Sequence, residues 1–184
     1  MNSIVKYIIR IMVTVFTVTI IFSCKDNFKE VQNIGLLSNK PITEAENINT
    51  KYTDSGRLKS HLVSPKMLDF SNRKFSFVEF PEGINFTIYD EKGNKNNVIA
   101  DFAMIYNDTD LIDLQGNVIV TTHANDTLFT EQLFYDQKRE WMFTNKPVKF
   151  RRKDNIDLGT GFDANKDFTI ANVLEYSGTI YLDE

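Results

Sequence analysis

Ala100-Asp101-Phe102-Ala103-Met104-Ile105-Tyr106-Asn107-Asp108-Thr109-Asp110-Leu111-Ile112-Asp113-Leu114-Gln115-Gly116-Asn117-Val118 holds two apolar segments joined by a polar turn. Thr130–Val148 superimposes on it without a gap. Asp101 falls on Glu131, Leu111 on Trp141 and Val118 on Val148. Each copy has the length and punctuation of a β-hairpin, with Asn107-Asp-Thr-Asp110 and Gln137-Lys-Arg-Glu140 as the turns. A degraded third copy runs from Phe162-Asp163 to Phe168. A repeated hairpin cannot bury its apolar face alone and stacks on its neighbours. The prediction is an all-β fold: an elongated, twisted, open β-jellyroll of stacked antiparallel hairpins.

Short β segments continue on both sides of the repeat. Gly56–Ser64 is expected to end at Pro65; Lys66–Phe70 and Phe75–Phe80 follow. In Ile84–Asp90 the residues Ile84, Phe86 and Ile88 share one face, and Lys92-Gly93-Asn94 turns the chain. Asn155–Phe162 and Phe168–Asp183 close the series. Gly116, inside a strand, marks a bulge or a bend. A short helix is expected at Pro41–Asn47.

The N-terminus has a different character. Lys6 and Arg10 precede an uncharged apolar run from Ile11 to Ser23, and the only cysteine, Cys24, follows. Basic start, apolar middle and small residue before the cut make a secretory signal, and the cysteine at the cut makes it a lipoprotein signal. Acylated Cys24 would then be the mature N-terminus, since two or more acyl chains anchor stably. The alternative is an uncleaved membrane anchor, for which Ile4–Phe22 approaches the ~20 residues that span a bilayer. Either reading puts the remainder outside the cytoplasm. The expected organisation is a lipoprotein signal over 1–23, a tether over 24–50 and one β domain over 51–184.

Composition excludes several function classes. The 42% apolar and 12% aromatic content supports a packed core in a chain of 184 residues. A net charge of −4 with no basic stripe argues against nucleic acid. One cysteine cannot make an internal disulfide, so packing and sheet pairing must supply stability. His61 and His123 are the only histidines. No metal-spaced cluster, Ser-His-Asp set or Gly-rich phosphate loop occurs, so no catalytic residue, metal or cofactor is expected.

Strand alternation assigns faces. Leu58 and Leu62 oppose Arg57, Lys59 and His61. Ala100, Phe102, Met104 and Tyr106 oppose Asp101. Ile112, Leu114, Val118 and Val120 oppose Asp113 and Asn117. Leu174, Tyr176, Ile180 and Leu182 share one parity in the last strand. These sets, with Phe86 and Ile88, are assigned inward. Around Trp141 both faces are apolar and parity does not decide. Taken alone, this alternation describes a packed β core.

A resemblance raises a second meaning. Val98-Ile-Ala100-Asp101-Phe-Ala103, a turn, then Ile112-Asp-Leu114-Gln-Gly116-Asn-Val118 resembles the LptC family, whose pattern is an Ala-Asp-x-Ala strand, a turn and a Leu-x-Leu-x-Gly-x-Val strand. The hairpin from Thr130-Glu131 to Trp141-Met-Phe-Thr, and Gly56-Arg-Leu58 to Pro65, also fit it. The likeness covers roughly Tyr52–Asp183. It implies a jellyroll with an open hydrophobic groove. Through that groove lipopolysaccharide passes from the inner-membrane LptB/LptF/LptG transporter to LptA. The inward sets then line a lipid groove: Leu58, Leu62, Phe86, Ile88, Ala100, Phe102, Met104, Tyr106, Ile112, Leu114, Val118, Val120, Leu174, Tyr176 and Ile180. The resemblance also implies docking at open sheet edges by strand addition. The first strand, near Gly56–Ser64, would face the transporter. The last, carrying Val173, Ser177 and Leu182, would receive LptA. The implied location is periplasmic, at the inner membrane, with no enzymatic activity; the lipid anchor is read from Cys24 and departs from the transmembrane helix of better-known members. Two other classes stay open on the residues alone. A periplasmic or surface glycan-binding lipoprotein would cluster aromatics on loops, and a β-rich hydrolase would pair carboxylates.

Overall fold

The computed structural model describes residues 40–153 and 155–177, together with Lys6 and Met12. The chain divides into two units, 1–39 and 40–184. Cys24, Ile180 and Leu182 lie outside the described residues. The second unit is all antiparallel β, an open jellyroll made from one sheet of eleven strands.

The strands are β1 (Thr43–Asp54), β2 (Arg57–Asp69), β3 (Phe77–Phe80), β4 (Ile84–Tyr89), β5 (Lys95–Ala100) and β6 (Phe102–Tyr106), followed by β7 (Leu111–Thr121), β8 (Thr127–Asp136), β9 (Trp141–Arg152), β10 (Asn155–Asn165) and β11 (Ala171–Tyr176). β2 pairs with β4 through Ser60–Val63 and with β3 through Leu68–Asp69. β7 pairs likewise with β6 through Leu111–Gln115 and then with β5 through Ile119–Thr121. β3 and β4 are therefore one long strand broken in the middle, and so are β5 and β6. The sheet is a meander in which each long strand pairs with the next.

The breaks fall in line. Register shifts occur at Gln115/Val118 in β7, at Thr130/Phe134 between β8 and β9, and at Thr160/Phe162 in β10. Asn47, Gly83, Gly116, Asn117 and Gly161 have positive φ along the same seam. Gly83 is required there: a Cβ would sit 2.7 Å from the Ala100 carbonyl oxygen. The seam bends the sheet, so the inner faces of the two half-sheets meet across one core. Phe80, Leu114, Leu133, Met142 and Phe162 on one half pack with Val118, Val120, Leu128, Val148 and Phe150 on the other. Each such burial contributes about 1.5–3 kcal/mol.

Bulges strand backbone carbonyls, and a buried carbonyl without a donor is costly. Small hydroxyls answer this. Ser64 Oγ lies 2.7 Å from Gly83 O and 2.9 Å from Lys66 O. Thr130 Oγ1 lies 3.0 Å from Pro147 O and 3.3 Å from Gln132 O. Thr144 Oγ1 does the converse and accepts from the Lys146 N–H at 3.1 Å. These bonds account for three of the six polar residues buried among the described residues. The sequence repeat is this seam: Ala100 and Thr130 enter it, Asp101 and Glu131 sit on it, and Val118 and Val148 leave it.

Four local expectations differ from the structure. Pro41–Asn47 forms no helix; β1 begins at Thr43 and reaches into the stretch expected as tether. β2 runs through Pro65, which lies opposite Asn47, a residue with φ +53° that leaves the ladder unpaired at that position. Phe168 is in a turn, and β11 begins at Ala171. The first edge is β1, so Gly56–Ser64 is an interior strand paired on both sides.

Candidate functional site

The inner face is not filled uniformly. A cavity of about 50 Å³ opens between the half-sheets. Ile84, Phe86, Ile88, Val98 and Val120 line one wall; Ile112, Leu114, Leu133, Tyr135 and Met142 line the other. Asn96 and Lys166 add the polar lining. Asn96 Oδ1 accepts from His123 N at 2.9 Å, and Lys166 Nζ is 2.6 Å from Glu140 Oε1. That carboxylate raises the Lys166 pKa above its ordinary value, chiefly by its hydrogen bond. Burial raises the Tyr135 hydroxyl, with the Glu140 charge adding to it. The site is an apolar slot with Asn96 and the ion-paired Lys166 in its lining.

The cavity stops short of the C-terminal edge. There Phe150, Phe162 and Phe168 fill the space between the half-sheets. Their ring centroids are 5.1, 5.4 and 5.7 Å apart, all edge to face. Beyond them, Tyr176 pairs with Gly159, and Gly159 pairs with the buried Val148. Paired residues share a face, so Tyr176 lies on the inner face at the open edge. It hydrogen-bonds Asp157, which holds that carboxyl below its usual range and raises the Tyr176 hydroxyl.

The expected inward set divides. Phe86, Ile88, Ile112, Leu114 and Val120 line the cavity. Leu62, Ala100 and Val118 belong to the same inner layer. Leu58 has that parity but lies beyond the core. Phe102, Met104 and Tyr106 do not share the inner face. Ala103, 1% exposed, and Ile105 take those positions. The seam absorbs Asp101 and Phe102 between inward Ala100 and inward Ala103, and that reverses parity. In β7 it absorbs Gln115, Gly116 and Asn117, and parity survives from Leu114 to Val118. Leu174 is 60% exposed opposite Gly161, while its neighbour Val173 packs against the core.

Ile84 and Val98 share parity with residues already assigned inward, so alternation could have found them. Leu133, Tyr135 and Met142 sit in strands apolar on both faces, where alternation carries no signal. Phe143, at 40% exposure, points outward and stacks on Phe134 at 5.4 Å.

Both sheet edges are open among the described residues: β1 pairs only with β2, and β11 only with β10. Asn165 N donates to Ile170 O, and antiparallel ladders alternate bonded and non-bonded pairs. The backbone of Ala171 and Val173 is therefore directed to the open side. Ser177 is different: its N–H donates inward to Leu158 O at 2.8 Å. No helix among the described residues is long and apolar enough to cross a membrane.

The chain matches the LptC family, described as lipopolysaccharide-assembly, LptC-related, over residues 10–182. Among curated proteins no match is found.

Proposed function

The chain belongs to the LptC family of lipopolysaccharide-assembly proteins, and from that premise we propose that it carries lipopolysaccharide on the inner face of its folded sheet. Family membership itself gives a role in lipopolysaccharide transport and a place in the periplasmic envelope. The observation that supports the groove is the apolar cavity between the half-sheets, lined by Phe86, Ile88, Ile112, Leu114 and Val120. Each acyl CH₂ removed from water is worth about 0.8 kcal/mol, which is what a carrier must supply.

The open edges supply the partner surfaces. β1 would face an LptB/LptF/LptG-type transporter, and β11 would accept the first strand of an LptA-like bridge protein. Strand addition at both ends continues the groove from one protein to the next. Acylated Cys24 would tether the domain to the inner membrane. Nothing in the carrier role needs a catalytic group.

The test is photocrosslinking by face. Photoreactive residues at Ile112, Leu114 or Phe86 should label lipopolysaccharide during transport. Asp101, Asn117, Phe102 and Met104 should not, because the seam turns the last two away from the cavity. Equal labelling from Phe102 and Ile112 would contradict the groove.

A further inference from the structure

The Phe168 turn has three properties that belong together. Its ring is 6% exposed although it comes from a loop, not a strand. Its φ is +54°, a region that a bulky side chain rarely occupies. Its ring completes the trio with Phe150 and Phe162, which stands between the cavity and Tyr176 at the β11 edge. The backbone is twisted into a left-handed conformation, and the result is an aromatic side chain set across the inner face.

We infer that the β10–β11 turn is a gate: Phe168 seals the C-terminal end of the groove until a strand added at β11 lifts it. This rests on the carrier reading above and adds the control point within it. The turn is closed by its own hydrogen bonds. Phe168 N donates to Asn165 O, Ile170 N to Asn165 Oδ1, and Asn165 Nδ2 to Thr169 Oγ1. These bonds close the turn on Asn165, the last residue of β10, which is paired with Trp141 and serves as its base. Its attachment to the neighbouring turn is Lys166, whose N–H and Nζ both bond Glu140. Lys166 also lines the cavity. One short segment therefore carries both a wall of the cavity and its end stop. A left-handed Phe is held by its packing, so removing that packing favours release. Without the seal, acyl chains would reach an open edge and meet water; with it, they advance only when a partner strand extends the groove.

The experiment uses two reporters in the full chain with purified lipopolysaccharide. A benzoyl-phenylalanine at Ile112 reads the cavity, and one at Tyr176 reads the inner face beyond the trio. In the wild-type background Ile112 should label and Tyr176 should stay dark. Phe168→Gly suits a φ of +54° and removes the benzyl side chain; it should raise Tyr176 labelling severalfold and leave Ile112 labelling in place. Phe168→Leu, which refills part of the space, should give an intermediate signal and serves if the glycine variant does not fold. Adding an LptA-like partner to the wild type should also bring up Tyr176. Tyr176 labelling as strong as Ile112 in the unpartnered wild type would overturn the gate, as would a dark Tyr176 in both folded Phe168 variants. Silence at Ile112 throughout would overturn the carrier reading instead, and the gate with it.

Discussion

The middle of the inner face and its C-terminal end are built on the same plan and finish differently. Both lie between the same half-sheets, and both are lined by alternating apolar residues. In the middle, Ile88, Ile112 and Met142 leave a cavity. At the end, Phe150, Phe162 and Phe168 pack edge to face across the same space. Filled space contributes to stability and unfilled space remains for a ligand. The same residue layer thus separates into a part that holds the domain together and a part that can bind.

The largest effect should come from the filled end. Phe162→Ala removes a ring with 0% exposure and two aromatic partners, and should cost about 3–5 kcal/mol in denaturant unfolding. A loss below about 1 kcal/mol would mean the end is loosely packed and the contrast with the middle is false. The open middle should respond the other way. Ile88→Phe, on the opposite wall, puts bulk into existing space, so stability should stay within about 1.5 kcal/mol of wild type while lipopolysaccharide crosslinking from Leu114 drops severalfold. Undiminished crosslinking would show that lipid does not use this cavity.

The smallest effect concerns pH at the edge of the filled end. Tyr176 and then Arg152 hold the Asp157 carboxyl below its ordinary value. A carboxyl lowered in the folded state stabilises it above the unfolded pKa, near 3.9, and that contribution is lost as pH falls through the lower folded value. Protection of β11 amides, corrected for intrinsic exchange, should therefore decline below about pH 4 while β4 is unaffected. Tyr176→Phe should remove part of that acid sensitivity. Equal loss in β4 and β11 would assign the acid response to the whole sheet.

Much of the fold was legible because hairpins are local. The repeat between Ala100–Val118 and Thr130–Val148, the turns after Tyr106 and Asp136, and the bend at Gly116 each depend on neighbouring residues. β1 was hidden because Glu44, Glu46, Asn47 and Asn49 are those of a polar, exposed edge, with none of the apolar alternation that marks a half-buried strand. Face assignment succeeded in β7 and failed in β6 for one reason. Alternation is a period of two, and a bulge resets it by the number of residues it absorbs. Asp101 and Phe102 reverse it; Gln115, Gly116 and Asn117 preserve it.

The sequence by itself determined an all-β chain of repeated hairpins, a family likeness and most of the apolar residues available for an inner face. Only the tertiary structure decided which of them share that face and where it stays open. The first depends on how many residues each strand gives to a seam shared by the whole sheet. The second depends on Phe150, Phe162 and Phe168, which meet because two strands and a turn converge across the bend; whether a space is filled is a property of side chains brought together by the fold, and no local pattern encodes it.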